Sequence, residues 1–418
     1  YYFMSLIVQK FGGTSVGNVA KIQNVAKKVA AEIKKKNKVI VVVSAMSGVT
    51  NQLIGYCNEV SELKNNEELA EYDSIISSGE QVTSGLLALE LQRLGCKARS
   101  FSGWQIKIKT DDRHSKARIN SIGKDILLKE LEDKDVVVVA GFQGINIKTE
   151  RISTLGRGGS DTTAVAIAAA VKADICEIYT DVDGVFTTDP RIVDEAKKID
   201  RISYEEMLEM AFSGSKVLQT RCVVMAMNYN VKVRVLSTFK EKTEDSGTIL
   251  INNNEIMEKR LITGISQSKN EARITLSGML DNPGLSADIF GSIADKGINA
   301  DMIVQNVSQD NKTVNITFTV NVDDLNRTKL ALEQNQKLLG YKSMLINDDI
   351  SKISVIGVGM VSNAGVAHTM FKTLADEGVN ISLISTSEIK ISILIARSFG
   401  DKVIKSLHKA FDLGAVTI

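Results

Sequence analysis

The sequence predicts an α/β fold, an open and mainly parallel sheet followed by two smaller α+β modules, and three features carry that prediction. Apolar runs of strand length alternate with helical stretches through residues 1–258, as a parallel sheet with crossover helices requires. Glycine and hydroxyl residues gather directly after those runs, where an open parallel sheet exposes its ligand-binding rim. Beyond residue 258 the alternation gives way to two copies of one pattern, offset by 81 residues.

Taken in order, residues 5–11 form an apolar run that reads as a buried strand and delivers Lys10, Phe11, Gly12 and Gly13 to its end. A helical stretch (19–36) and a second strand (38–43) follow, the latter ending in Ser44 and, past Gly48, Thr50. A long helical region (72–94) carries Ser77, Ser78, Gly79 and Glu80 near its start, ahead of a strand at 97–101. On composition alone Glu80 reads as a surface charge. Residues 135–142 are another apolar strand, and 175–180 the next, ending in Thr180 and Asp181. The polar loop after it holds Phe186 and Arg191. Lys216 and Val217 open a later helix, where a cation is unfavourable unless an anion shares the site.

Residues 154–168, TLGRGGSDTTAVAIA, are the centre of the pattern. Gly156, Gly158 and Gly159 can take positive φ and admit a ligand close to the backbone. Asp161 or Ser160 can cap a helix that starts near Thr162, and the unpaired first amides favour a phosphate or carboxylate. Arg157 offers a planar fork to a carboxylate.

Composition bounds the function. A chain of 418 residues suits two or three domains, and its net charge of +1, with no basic stripe among aromatics, argues against nucleic-acid binding. The run of Lys34, Lys35, Lys36 and Lys38 closes a helix and stays solvated. Cys57, Cys96, Cys176 and Cys222, with three scattered histidines, lack metal-site spacing and read as reduced thiols of a cytoplasmic protein. No signal peptide and no run of membrane-spanning length is present, so no membrane partner is expected, and Met4 is expected to be the start. The Walker spacing G-x-x-x-x-G-K-[ST] is missing, so any phosphate site is of another kind.

Three blocks in this order, KFGGTS (10–15), TLGRGGSDTTA (154–164) and TDVDGVFTTDPR (180–191), resemble those of the aspartate kinases of the amino-acid kinase superfamily. The resemblance extends over essentially the whole chain. It implies transfer of a phosphoryl group from ATP, with Mg2+ carried on the nucleotide, to the side-chain carboxylate of L-aspartate. It implies that Lys10 and Lys216 stabilise the transferring group, while Asp161 organises them rather than acting as a base. Glu80 matches the position that receives the substrate's ammonium. Arg157, flanked by Gly158 and Gly159, would fork onto the α-carboxylate, with Ser44, Thr50 and Ser160 adding hydrogen bonds. The nucleotide would lie along Lys10, Phe11, Gly12, Gly13, Thr180, Asp181, Phe186, Arg191, Lys216 and Val217. Phe186 stands where many relatives carry tyrosine, and Thr220 where proline is frequent.

The repeat is explicit: Gly278, Met279, Asn282, Gly284, Phe290, Asp295, Gly297 and Asn299 recur as Gly359, Met360, Asn363, Gly365, Phe371, Asp376, Gly378 and Asn380. Each copy reads strand, turn, helix, strand. The copies resemble ACT domains, βαββαβ modules that bind amino acids at their interfaces, which implies feedback control by lysine, threonine or both. Resemblance points for effector contacts to Met279, Asp281 and Asn282, to Gln305 and Asn306, and to Ser385, Thr386, Ser387 and Glu388. A role confined to dimerisation is the other reading of the repeats.

The expected organisation is a catalytic domain at 1–258 and ACT domains at 265–345 and 350–418, in a homodimer or a higher homo-oligomer, with no length left for a fused homoserine dehydrogenase. Two other functions stay open: a kinase for another small acid such as glutamate, and a catalytically silent amino-acid sensor on the same scaffold. Intact Lys10, Arg157, Asp161 and Lys216 argue against the sensor.

Overall fold

Strand Lys38–Val43, KVIVVV, is buried at five of its six positions and lies inside an eight-stranded sheet of the computed structural model. Such an unbroken apolar run is what a parallel strand covered on both faces needs. The structure describes residues 5–215, 217–243, 245–255, 261–308, 312–363 and 365–415. Lys216 therefore lies outside the described residues, and its predicted role is not addressed by the geometry.

The sheet runs in the order Arg201–Ser203, Thr248–Ile251, Val233–Ser237, Ile175–Thr180, Leu6–Phe11, Lys38–Val43, Val136–Ala140, Ala98–Phe101. Six of these strands are parallel, while Thr248–Ile251 and its neighbour Arg201–Ser203 run the other way. Val39, Val41, Val43 and Val138 pack against Val25 and Val29 of helix Val19–Lys34 and Leu87 and Leu91 of helix Ser78–Arg93. Helix Gly159–Val171, buried at eleven of its thirteen residues, packs with Ser160 beside Gly141 and Val42. The mainly parallel α/β sheet expected from the sequence is therefore present, with an addition. Four strands of two to four residues, Ile119–Ser121, Lys109–Thr110, Gln143–Asn146 and Ile152–Thr154, build a second small sheet.

Each repeat copy forms a four-stranded antiparallel sheet with helices. The first orders Asp301–Val307, Thr313–Asn321, Glu271–Leu280 and Ser343–Asn347, and its core holds Ile274, Leu276, Ile289, Ile293, Ile316 and Phe318. The second orders Gly264–Ser268, Ile350–Ile356, Lys390–Ala396 and Leu383–Thr386. This corrects the 265–345 boundary. Strand Gly264–Ser268 precedes the first module in the chain but pairs antiparallel with Ile350–Ile356, so the first module is inserted into the second.

The chain divides into two compact units. One holds the residues up to Val185, 198–211 and 217–255; the other holds Phe186–Lys197, residues 212–215 and 261–415. Segment Phe186–Lys197 is thus tied to the repeat modules although it lies within the 1–258 span. Val193 joins the core formed by Val403, Ile404, Leu407 and Leu413, Thr187 Oγ1 lies 3.0 Å from His408 Nε2, and the Ile265 amide donates to the Thr187 carbonyl at 2.7 Å.

Candidate active site

The strand Leu6–Phe11 and the helix Gly159–Val171 meet at one ion pair. Lys10 Nζ lies 2.5 Å from Asp161 Oδ1, with both side chains about nine-tenths buried. A Cβ at Gly12 would come within 3.2 Å of the Lys10 ammonium, and one at Gly13 within 3.0 Å of the Ala45 carbonyl, so the glycines leave the backbone open beside the cation. The Phe11 ring points away from this rim: it is fully buried and stacks on Tyr179 at 4.6 Å between centroids. Only its backbone is left for a nucleotide. Beneath the strand, Gln9 Nε2 donates to Glu177 Oε2 at 2.9 Å, and Lys242 bridges Glu177 at 2.6 Å and Glu32 at 3.0 Å.

The helix begins at Gly159, three residues earlier than the start expected near Thr162, and neither Ser160 nor Asp161 caps it. Both lie inside its first turn. Gly158 is the N-cap, at φ 69°, and makes no side-chain capping bond. A Cβ there would overlap the Gln219 side chain at 1.9 Å, so glycine is demanded by both conformation and space. The first-turn amides consequently have no side-chain cap, and the helix dipole adds partial positive charge to them. Arg157 is exposed on the turn and forms no ion pair among the described residues.

Glu80 is not the surface charge that composition suggests. It is 3% exposed, in the first turn of helix Ser78–Arg93. Its Oε1 accepts from the Ala45 amide at 3.0 Å, and its Oε2 is buried without a hydrogen-bond partner. Burial pushes the carboxyl up to about 7, opposed by the Ala45 N–H. The close approach is made possible by Gly79, where a Cβ would sit 2.7 Å from that of Ala45. Ser44 is anchored by its amide to the Phe11 carbonyl at 3.1 Å, and Thr50 lies in the uncapped first turn of helix Val49–Val60, behind Gly48 at φ 88°.

Along the predicted nucleotide path, Thr180 ends strand Ile175–Thr180 and its hydroxyl donates to Asp181 at 3.1 Å. Val217 is half-buried. In the other unit Phe186 is half-buried, and Arg191 is exposed with its fork on Asp189 at 3.0 and 2.7 Å.

The effector candidates fall into two groups. In the first module Met279 is fully buried in the core, so its side chain is not presented at a surface. Asp281 and Asn282 are exposed, and Gln305 is reached by Ser286 Oγ at 3.2 Å from the start of helix Leu285–Ala294; Asn306 follows on the same strand. In the second module Ser385 and Thr386 end strand Leu383–Thr386, and Ser387 and Glu388 form the exposed turn, where the Ser387 amide donates to the Lys390 carbonyl at 2.8 Å.

Known proteins share this sequence and fold over nearly the whole chain. The sequence profile of the amino acid kinase family matches residues 5–237, and an ACT-domain profile matches 274–336 and 353–411. An aspartate kinase of Pseudomonas putida is 48% identical over 413 residues, covering 99% of this chain and 98% of its own length. The structure of E. coli aspartokinase III in complex with aspartate and ADP is similar with a TM-score of 0.81 at 26% identity, over 97% of this chain and 99% of that one. The same enzyme in complex with lysine and aspartate gives 0.75 at 27% identity, again over 97% and 99%. The fold is that of the amino acid kinases joined to ACT domains. Within that family the chain belongs to the aspartate kinases. Among the described residues no helix is long and apolar enough to cross a membrane.

Proposed function

We propose that this chain transfers the γ-phosphoryl group of ATP to the side-chain carboxylate of L-aspartate, giving 4-phospho-L-aspartate and ADP. The observation that carries this reading is Glu80: a buried carboxylate with one oxygen unpartnered is a receptor waiting for a cation, and an amino acid's ammonium supplies it. An N-acetylated acid has no such cation to offer.

The acceptor carboxylate, with an ordinary pKa of about 4, is ionised at neutral pH and attacks the phosphorus without a general base. Catalysis is then positioning and charge neutralisation. Arg157 holds the α-carboxylate, Ser44, Thr50 and Ser160 donate hydrogen bonds, and the uncapped first turn at Gly158 and Gly159 takes anionic oxygens. Lys10 faces the transferring group, and Asp161 fixes its direction; Lys216 is assigned the same duty. Thr180, Asp181 and Val217 line the nucleotide, whose Mg2+ neutralises phosphate charge; the resemblance adds Phe186 and Arg191 to its contacts.

Residues 1–258 carry this chemistry, and the two repeat modules, the first inserted into the second, regulate it by binding lysine, threonine or both, in a cytoplasmic homodimer or larger homo-oligomer. The solved relative in complex with lysine and aspartate supports lysine as an effector. ADP release measured with MgATP and L-aspartate, then L-glutamate, tests the reading. Aspartate-dependent turnover that lysine or threonine suppresses is expected; turnover with glutamate alone contradicts the substrate.

A further inference from the structure

Helix Asn66–Ile76 carries, in its last turn, a carboxylate shut away from solvent. Asp73 is fully buried, and donors from two other stretches converge on it. His114 Nδ1 lies 2.8 Å from its Oδ2, the Ser115 amide donates to both oxygens at 3.0 and 3.1 Å, and Thr154 Oγ1 donates to Oδ1 at 2.5 Å. His114 and Thr154 are themselves buried. Nothing in the chemistry assigned so far uses this cluster.

Its position gives it a use. Thr154 ends strand Ile152–Thr154, and the next residues, Leu155 and Gly156, are the stem of the turn that presents Arg157. The stem is held from several sides. Gly156, at φ 76°, leans on the Ser115 carbonyl, which a Cβ would approach to 3.1 Å. Arg221 donates to the Leu155 carbonyl at 2.7 Å and to the Ala117 carbonyl at 2.6 Å, and the Ala117 amide donates to the Thr154 carbonyl at 2.9 Å. On the other side, helix Asn66–Ile76 passes through Ser77 directly into helix Ser78–Arg93, whose first turn holds Glu80. Gln143 Nε2 fastens the junction by donating to the Ser77 carbonyl at 2.9 Å. One buried carboxylate therefore ties the segment leading to Glu80 to the stem leading to Arg157.

We propose that Asp73, His114 and Thr154 form a positioning clamp that sets the span between Glu80 and Arg157 and so selects the length of the amino-acid acceptor. The inference rests on the assignment of Glu80 to the substrate's ammonium and Arg157 to its α-carboxylate. With those two groups pinned at a fixed span, the side-chain carboxylate of aspartate reaches the phosphoryl group, whereas a homologue longer by one methylene is carried past it. Discrimination of one methylene is ordinarily about 10–200-fold, and a displacement of about 1 Å in a catalytic array costs about 100-fold, so a small relaxation of the clamp is readable in kinetics.

The test uses the full chain with Thr154→Val, which keeps shape and removes the hydroxyl donor, and Thr154→Ser, which returns it. Expected for Thr154→Val are a rise in KM for aspartate of roughly 10–100-fold, a KM for ATP within about twofold of the parent, and a narrowed ratio of kcat/KM for aspartate over glutamate. Thr154→Ser restores all three. Unchanged aspartate KM and selectivity in Thr154→Val, or aspartate and ATP KM values rising together, overturns the clamp and leaves the cluster a purely structural one. Should Thr154→Val not accumulate as folded protein, His114→Gln is read by the same criteria. Arg157→Lys separates the two levels: if it leaves aspartate KM unchanged, the underlying assignment fails, and if it raises that KM while Thr154→Val does not, only the clamp fails.

Discussion

Lys10 and Asp161 form a 2.5 Å ion pair that joins the end of the first strand to the first turn of helix Gly159–Val171. A lysine alone at this rim would be a mobile point charge on a four-carbon stem. Held by Asp161, its ammonium is fixed in place, and in the proposed reaction such preorganisation lowers the cost of reorganisation during phosphoryl transfer.

Lys10→Met is accordingly expected to lower kcat by about 100- to 1000-fold, the usual cost of removing one preorganised donor from a developing charge. Nucleotide affinity measured by titration calorimetry should change far less. Equal losses in turnover and in ATP affinity would mean that Lys10 binds ground state and transition state alike.

Glu80 makes a prediction about pH. Its carboxyl, raised to about 7 by burial, takes up a proton on folding, so the ionised form is a cost that the native state bears above pH 7 and sheds as pH falls towards the ordinary carboxylate range. Glu80→Gln should therefore raise the thermal midpoint at pH 8, by a stability increment of at most about 3 kcal/mol, and the gain should shrink as pH falls below 7 and vanish below about pH 4. On the proposed pairing of Glu80 with the substrate ammonium, aspartate binding runs the opposite way: KM for aspartate in the parent should climb as pH drops below about 7, and Glu80→Gln should bind aspartate poorly at every pH. A mutant with unaltered aspartate KM would remove Glu80 from the site.

Lys352 is a structural counterpart. It is 2% exposed on strand Ile350–Ile356 of the second module and reaches Glu271 at 2.8 Å and Asp301 at 2.9 Å in the first. Burial disfavours its charge, yet the two carboxylates outweigh that and hold its pKa above the ordinary lysine value, while Asp301, also penalised by burial, is held below its own by Lys352. The lysine's contribution is thus complete below pH 10 and lost only as pH rises through its raised value. That of Asp301 is present above about pH 4 and lost in acid. Lys352→Met strands the buried Glu271 carboxylate and the half-buried one of Asp301, and should cost about 3–5 kcal/mol in urea unfolding at pH 7. A loss under 1 kcal/mol would show that the cluster does not hold the modules together.

The contact of Thr187 with His408 bears on regulation. Burial pushes the His408 imidazole below its ordinary value, so it is neutral at pH 7 and shares a hydrogen bond with the Thr187 hydroxyl. Phe186 and Arg191, assigned to the nucleotide, lie on the same segment, which is packed into the second module's core. Thr187→Val is expected to raise KM for ATP by roughly 2–30-fold, the range of mutations along a coupling element, without moving KM for aspartate. A change confined to aspartate would disconnect the segment from the nucleotide.

Much of this was legible in the sequence because buried parallel strands and a repeated module write themselves as long apolar runs and as a fixed offset. The glycine turn was legible too, since Gly158 answers to a steric demand. What was not legible depended on tertiary partners. Strand Gly264–Ser268 finds its mate only after an entire module intervenes. Strands of two to four residues such as Lys109–Thr110 have no periodicity to read. Phe11 and Met279 both face their cores: the strand of Phe11 is covered on both faces and gives no parity from which to tell, and the alternation along Glu271–Leu280 is broken by a register shift between Leu276 and Met279. Glu80 looked like any exposed glutamate until Ala45 and Gly79 were seen to enclose it.

The most direct measurement of the central claim is to trap the product with hydroxylamine, which converts an acyl phosphate to its hydroxamate, in a reaction of the full chain with MgATP and L-aspartate. The account predicts the side-chain hydroxamate of aspartate in proportion to ADP released. An α-hydroxamate would contradict the orientation given by Glu80 and Arg157, and ADP release without any hydroxamate would contradict phosphoryl transfer to a carboxylate altogether.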